Sequence, residues 1–161
     1  MQEIEIIKQR IAEAELLLIG IGEKFILKEN AEEIKRAYQN LATLIKGKNY
    51  FIITTCKDEM IFEAELKADR IVRPLVGEEG WEIYMKWLQG TLNKKLLVLE
   101  LGVGLKYPDV IRFPFEKVTY FNQKAELIRV HDRLFQLPAE LVGRGSSMET
   151  DPLSLLTTSE I

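Results

Sequence analysis

Short apolar runs separated by helix-patterned segments constrain this chain more than any other feature. Leu16-Leu17-Leu18-Ile19 is the first, ending at Gly20. Tyr50-Phe51-Ile52-Ile53-Thr54 and Leu96-Leu97-Val98-Leu99 follow, then Leu127-Ile128-Arg129-Val130. Arg70-Ile71-Val72-Arg73 reads as a shorter strand, stopped by Pro74. A brief apolar run bounded by turn signals marks a strand buried on both faces. Between the runs the spacing changes to that of helices. Ile4, Ile7, Ile11 and Ala14 fall on one helical face. Ile34, Ala37, Tyr38, Leu41, Ala42, Leu44 and Ile45 form a second helical stripe. Asn30 reads as its N-cap, with Glu33 completing a capping box, and Gly47 closes it. A short helix is expected over Glu59–Glu65. Gly80–Leu88 and Phe113–Phe121 follow as longer ones. A last helix starts at Asp151 with Pro152 in its first turn. Gly143-Arg144-Gly145-Ser146-Ser147 reads as a turn or flexible joint, and the C-terminal end is expected to fray.

Strands alternating with helices imply parallel pairing. The expected fold class is therefore α/β: a doubly wound, mostly parallel sheet with helices on both faces. The 161 residues suit one domain, 1–161. A net charge of −3 carries no basic footprint for nucleic acid. The apolar runs fall far short of the roughly 20 residues that span a bilayer. The acidic start, Met1-Gln2-Glu3-Ile4-Glu5, lacks the positive region of a signal peptide. These features point to the cytoplasm, without a membrane partner. The single cysteine, Cys56, rules out an intrachain disulfide and any cysteine-based zinc ribbon. No spaced carboxylate cluster suggests another metal site.

In doubly wound sheets ligands bind at the carboxyl ends of the strands, where strand order switches. The candidate cofactor-binding residues are therefore Gly20, Gly22, Thr55, Asp58, Gly102, Gly104 and His131. Gly20-Ile21-Gly22 is either half of a phosphate-binding loop or a tight turn, and Glu23 opposes phosphate by charge. Gly102-Val103-Gly104 carries the same two readings. Asp58 suits a ribose hydroxyl or a helix cap. His131, the only histidine, suits an adenosine ribose or a local capping role. Cys56 stands where a nucleophile would, but no histidine lies near it in sequence, and the inert buried thiol is the default.

The same strand ends resemble the sirtuin family, especially its bacterial, macrodomain-associated branch. Residues 96–104 (LLVLELGVG), 111–116 (IRFPFE) and 125–130 (AELIRV) are similar to that branch's C-terminal NAD-binding half. Residues 49–58 (NYFIITTCKD) resemble the strand leading into T-Q-N-x-D or T-T-N-x-D. Ala14–Gly22 resembles the strand leading into G-A-G-x-S. The resemblance implies a Rossmann-like core that takes NAD or ADP-ribose and catalyses deacylation or ADP-ribosyl transfer. Carried over by position, it is altered. Ile21 replaces the alanine and Lys24 the serine of the first motif. Cys56 replaces the asparagine that serves the nicotinamide ribose. A thiol cannot offer both an amide donor and an amide acceptor. Val76 stands where the family has its histidine or glutamine, and valine moves no proton. His131 replaces the asparagine at the adenosine ribose. The segments holding the family's cofactor loop and small zinc-bearing module are each reduced here to one helix. Three functions follow as expectations. The first is a degenerate domain that binds nucleotide without turnover. The second is an active NAD-dependent deacylase or ADP-ribosyltransferase. The third is a ligand-free interaction protein, with a protein partner or homodimer formed through Trp81, Trp87 and Phe25. No catalytic residue is assigned.

Overall fold

The computed structural model describes residues 2–161. Six strands form one sheet: β1 Leu16–Ile21, β2 Asn49–Thr54, β3 Ile71–Val72, β4 Leu96–Leu101, β5 Glu126–His131 and β6 Gly145–Glu149. Their order is β3-β2-β1-β4-β5-β6, and every neighbouring pair is parallel. This is a Rossmann-like α/β sheet, as the alternation of runs implied. Five helices cover it: α1 Glu3–Glu13, α2 Ala31–Leu44, α3 Trp81–Gln89, α4 Arg112–Phe121 and α5 Pro152–Thr158.

The period of two along each strand sorts side chains between two cores. Leu17, Ile19 and Ile21 point toward α1, α2 and α5, meeting Ile7, Tyr38, Leu41 and Leu156. Leu16 and Leu18 face the other way, with Phe51, Val98, Tyr84 of α3 and Phe115 of α4. The strands carry no polar alternation because both faces are covered. Gly20 shares the parity of Leu16 and Leu18. A Cβ there would stand 2.6 Å from Ile111 and 2.8 Å from Phe115. Its missing side chain lets α4 seat on the sheet.

Two charged residues lie inside that seat. Glu100 of β4 and Arg129 of β5 are fully buried and pair in register across the sheet. Arg129 Nε donates to Glu100 Oε1 at 2.7 Å and its Nη2 to Oε2 at 3.0 Å. Glu116 of α4 lies 2.9 Å from the same guanidinium, and Gln136 O accepts its third nitrogen at 2.9 Å. Burial pushes the Glu100 carboxyl above its usual range, against the pull of Arg129. Such a cluster adds little net stability, but it fixes α4 and the segment after β5 to one register.

Several expectations change. Gly143–Ser147 is no simple joint, because β6 begins at Gly145. Its small polar residues escape the apolar signature since β6 is an edge strand and only Met148 is buried in it. Gly145 has no room for a Cβ against the Leu127 carbonyl. Asn30 precedes α2, but its side chain accepts from Lys28 N instead of capping, so no capping box forms. The helix expected over Glu59–Glu65 is a 3-10 turn, Met60–Glu63. The last helix does open on Asp151, which accepts from Leu153 N at 3.2 Å. Ile161 rests partly buried against the first core. No helix among the described residues is long and apolar enough to cross a membrane.

Candidate functional site

Strand order reverses between β1 and β4, both continuing the sheet in opposite directions from the centre. Past this point the chain exits stay stitched together. Thr55 N donates to Ile21 O at 3.1 Å, Gly22 N to Leu101 O at 3.1 Å, and Gly102 N to Val130 O at 2.9 Å. These bonds bring Gly22, Thr55, Gly102, Gly104 and His131 to one end of the sheet. Gly20 stays within β1 and faces α4. Asp58 lies beyond the β2 exit, where its Oδ1 accepts from Met60 N at 3.0 Å and caps the 3-10 turn.

The two glycine pairs pack on each other. A Cβ on Gly22 would run into Val103 Cα and stand 2.5 Å from Gly102 O. Gly102 adopts φ +68°, and a Cβ there would meet Lys24 Cβ at 2.5 Å. The glycines are thus needed for close approach of β1 and β4 backbones and of Lys24. The Gly104 N–H, which a phosphate loop would offer to a ligand, is already taken. Glu23 Oε2 accepts from it at 2.6 Å. The bond joins residues 81 positions apart. Glu23 therefore places a carboxylate of the chain itself against the Gly104 N–H of the second glycine turn.

The neighbours of this contact are cationic or donor-rich. Lys24 Nζ pairs with Asp132 Oδ1 at 2.8 Å and holds that carboxyl below its usual range. Arg112 of α4, mostly buried, donates to Val103 O at 3.2 Å and Leu134 O at 3.1 Å. His131 Nδ1 accepts from Arg133 N and Leu134 N, both at 2.9 Å. Two donors on one nitrogen require the neutral ring. Burial lowers the His131 pKa accordingly. Asp132 Oδ1 lies 3.3 Å from the same nitrogen, but with that nitrogen unprotonated the carboxylate belongs to Lys24. His131 thus turns the chain after β5, an Asx-like role filled by imidazole.

On the other side of Gly22 stands Cys56. Its Sγ donates to Gly22 O at 3.6 Å and its N–H to Thr54 Oγ1 at 3.0 Å. The thiol is 2% exposed, and burial pushes its pKa up to about 11. A reactive cysteine has the opposite shift. Thr55 Oγ1 is buried without a hydrogen-bond partner. Val76 follows the outer strand β3 at the sheet's edge, half exposed in a groove beside Ile71. No group of three or more His, Cys, Asp or Glu among the described residues could hold a metal ion. Sequence spacing revealed the glycines but not their occupant. The one available signal was an acid directly after the first G-x-G.

No family model matches the chain. A search of curated proteins finds a "Protein ADP-ribosyltransferase" of Staphylococcus aureus, 26% identical over 76 residues. That stretch is 47% of this chain and 24% of the other protein, so the match spans about a quarter of the relative's length. The chain is distantly similar to an ADP-ribosyltransferase over that stretch.

Proposed function

We propose that this chain is a non-catalytic, sirtuin-like relative of the ADP-ribosyltransferases whose nucleotide cleft is closed by its own Glu23, and that it works as an interaction domain. The observation that carries this reading is the 2.6 Å bond from Gly104 N to Glu23 Oε2. A pyrophosphate would have to displace that carboxylate or share the turn with it, and two anions at such range repel strongly where water is scarce. The reaction chemistry is missing as well. Cys56 is a buried, protonated thiol and Val76 is aliphatic, so neither holds a reacting ribose nor takes a proton. The distant likeness to an ADP-ribosyltransferase supports the lineage, and the strand order supports the nucleotide-fold ancestry.

Calorimetry with NAD and with ADP-ribose tests the reading. The wild-type chain should give no saturable heat at about 1 mM ligand, a limit equivalent to binding weaker than about 4 kcal/mol. One observation favours a second reading, nucleotide binding without turnover. Thr55 Oγ1 is buried and unpartnered at the β2 exit, and a ligand hydroxyl would satisfy it. Saturable heat with ADP-ribose would replace the first reading by the second.

A further inference from the structure

The outer end of the sheet carries a surface that the strand-end site does not use. β3 is an edge strand of two residues, paired with β2 on its inner side. Alongside it runs a groove of about 420 Å³ past Ile71, Val76 and Ile83. It continues into a groove of about 540 Å³ against Trp81, sharing Gly77, Glu78, Gly80 and Ile83. The apolar walls stand open to solvent: Val76 is 53% exposed, Ile83 64% and Trp81 39%. Volumes of this size hold a few side chains of an extended peptide.

Charge decides what kind of peptide. Asp69, Glu78, Glu79 and Glu82 line the two grooves. None of the four is in an ion pair among the described residues. Arg73 is the one cation on the walls. It is already engaged, 3.8 Å from Glu59, bonded to Lys57 O and stacked over Phe62. The free charge along the groove is therefore negative, with an indole and two aliphatic side chains at its centre. Nucleic acid and anionic lipid surfaces are repelled by it.

We propose that the β3–α3 groove docks an extended basic segment of a partner protein, with lysine or arginine side chains flanking one large apolar residue. The apolar residue sits between Val76 and Ile83. The cations reach Glu78, Glu79 and Glu82, and one lies over the Trp81 ring. The proposal rests on the reading of the chain as an interaction domain and names the class of its partner. It stands or falls apart from the nucleotide titration, because neither Glu23 nor Gly104 lines the groove.

The probe is a fluorescein-labelled peptide of four lysines flanking a central leucine, read by anisotropy and by tryptophan fluorescence. Binding should saturate in the range of about 10–500 µM at low salt and weaken several-fold near 0.15 M salt. Replacing Glu78, Glu79 and Glu82 together by lysine should weaken it at least about tenfold, and Ile83→Asp should do the same. A peptide of lysines alone should bind at least about fivefold more weakly, since one buried apolar side chain is worth that much. All the altered residues are exposed, so thermal melts should match the wild type. Absence of saturable binding at about 1 mM overturns the proposal. Equal binding by the charge-reversed or Ile83→Asp chains overturns it too.

Discussion

Glu23→Ala removes the one side chain that answers the Gly104 N–H. The lost bond is short and charge-assisted, a class worth about 1.5–3 kcal/mol net. Glu23 is only partly buried, so the lower end applies and about 1.5 kcal/mol is expected. For a chain of this size that is a fall in melting temperature of about 3–6 °C. Glu23→Gln keeps an acceptor and loses the charge, so about half the effect should remain. The vacated turn then offers Gly104 N–H to a solute anion, with Arg112 bonded to the adjacent Val103 carbonyl. Pyrophosphate or ADP-ribose should restore the alanine variant. At ten times the dissociation constant the gain is about 1.4 kcal/mol, enough to recover nearly all of the loss. The assay is a thermal melt in anion-poor buffer, repeated with rising pyrophosphate, on both chains. If Glu23→Ala melts with the wild type, the carboxylate is no latch. If pyrophosphate stabilises both chains equally, the cleft was never closed by Glu23.

Arg129→Met strands the buried Glu100 carboxylate and should cost about 3–5 kcal/mol in urea unfolding. Adding Glu100→Gln should return much of that, and a double variant no better than the single would place the cost elsewhere. The His131 pKa is lowered in the folded chain, so the unfolded chain takes the proton more readily. The stability this group contributes is held above its ordinary pKa and lost as pH falls from there through the lowered folded value, by at most about 1.4 kcal/mol per pH unit. His131→Asn keeps an acceptor for Arg133 N and Leu134 N and should flatten that part of the slope; identical urea midpoints against pH would contradict the assignment. Cys56, raised from 9.0 to about 11, should react with iodoacetamide at pH 8 about 100-fold more slowly than a free thiol, before any further shielding by burial. At alkaline pH the raised thiol works the other way. The unfolded thiol ionises first, so stability should fall between pH 9 and pH 11, and Cys56→Ala should lack that fall.

Strand-end chemistry shows where sequence reasoning stops. Gly20 and Gly22 look alike as letters, yet one seats α4 and the other lets the β1 and β4 exits touch. Which face a glycine serves follows from strand parity and from what packs there. Neither the helix opposite nor its distance is written locally. Asp58 and His131 each had a local alternative, and each makes the local bond, because short polar side chains at strand exits find nearby N–H groups first. Of the aromatic contacts expected at an exposed interface, Phe25 is instead fully buried, beside Tyr38. Trp87 is half-buried over Phe51, with its indole N–H on Asn49, and only Trp81 is open to solvent. Helical spacing gives the stripe but not its depth.

What the sequence determined by itself was the parallel, two-faced sheet. Leu16–Ile19, Tyr50–Thr54 and Leu96–Leu99 have no polar side, and such strands are stable only with helices on both faces. Residue chemistry also counted against turnover at Cys56 and Val76, where the resembled family carries an asparagine and a histidine or glutamine. Tertiary structure alone decided that Glu23 would fill the turn at Gly104, that Glu100 would meet Arg129, and that β6 would complete the edge. Each of these joins residues far apart in the chain through one short polar contact or a ladder of backbone bonds. Hydrophobic periodicity is a pattern of neighbours along the chain, and it reports which face of an element turns inward. A hydrogen bond depends on the angle and distance between two distant groups, and those exist only once the sheet has formed.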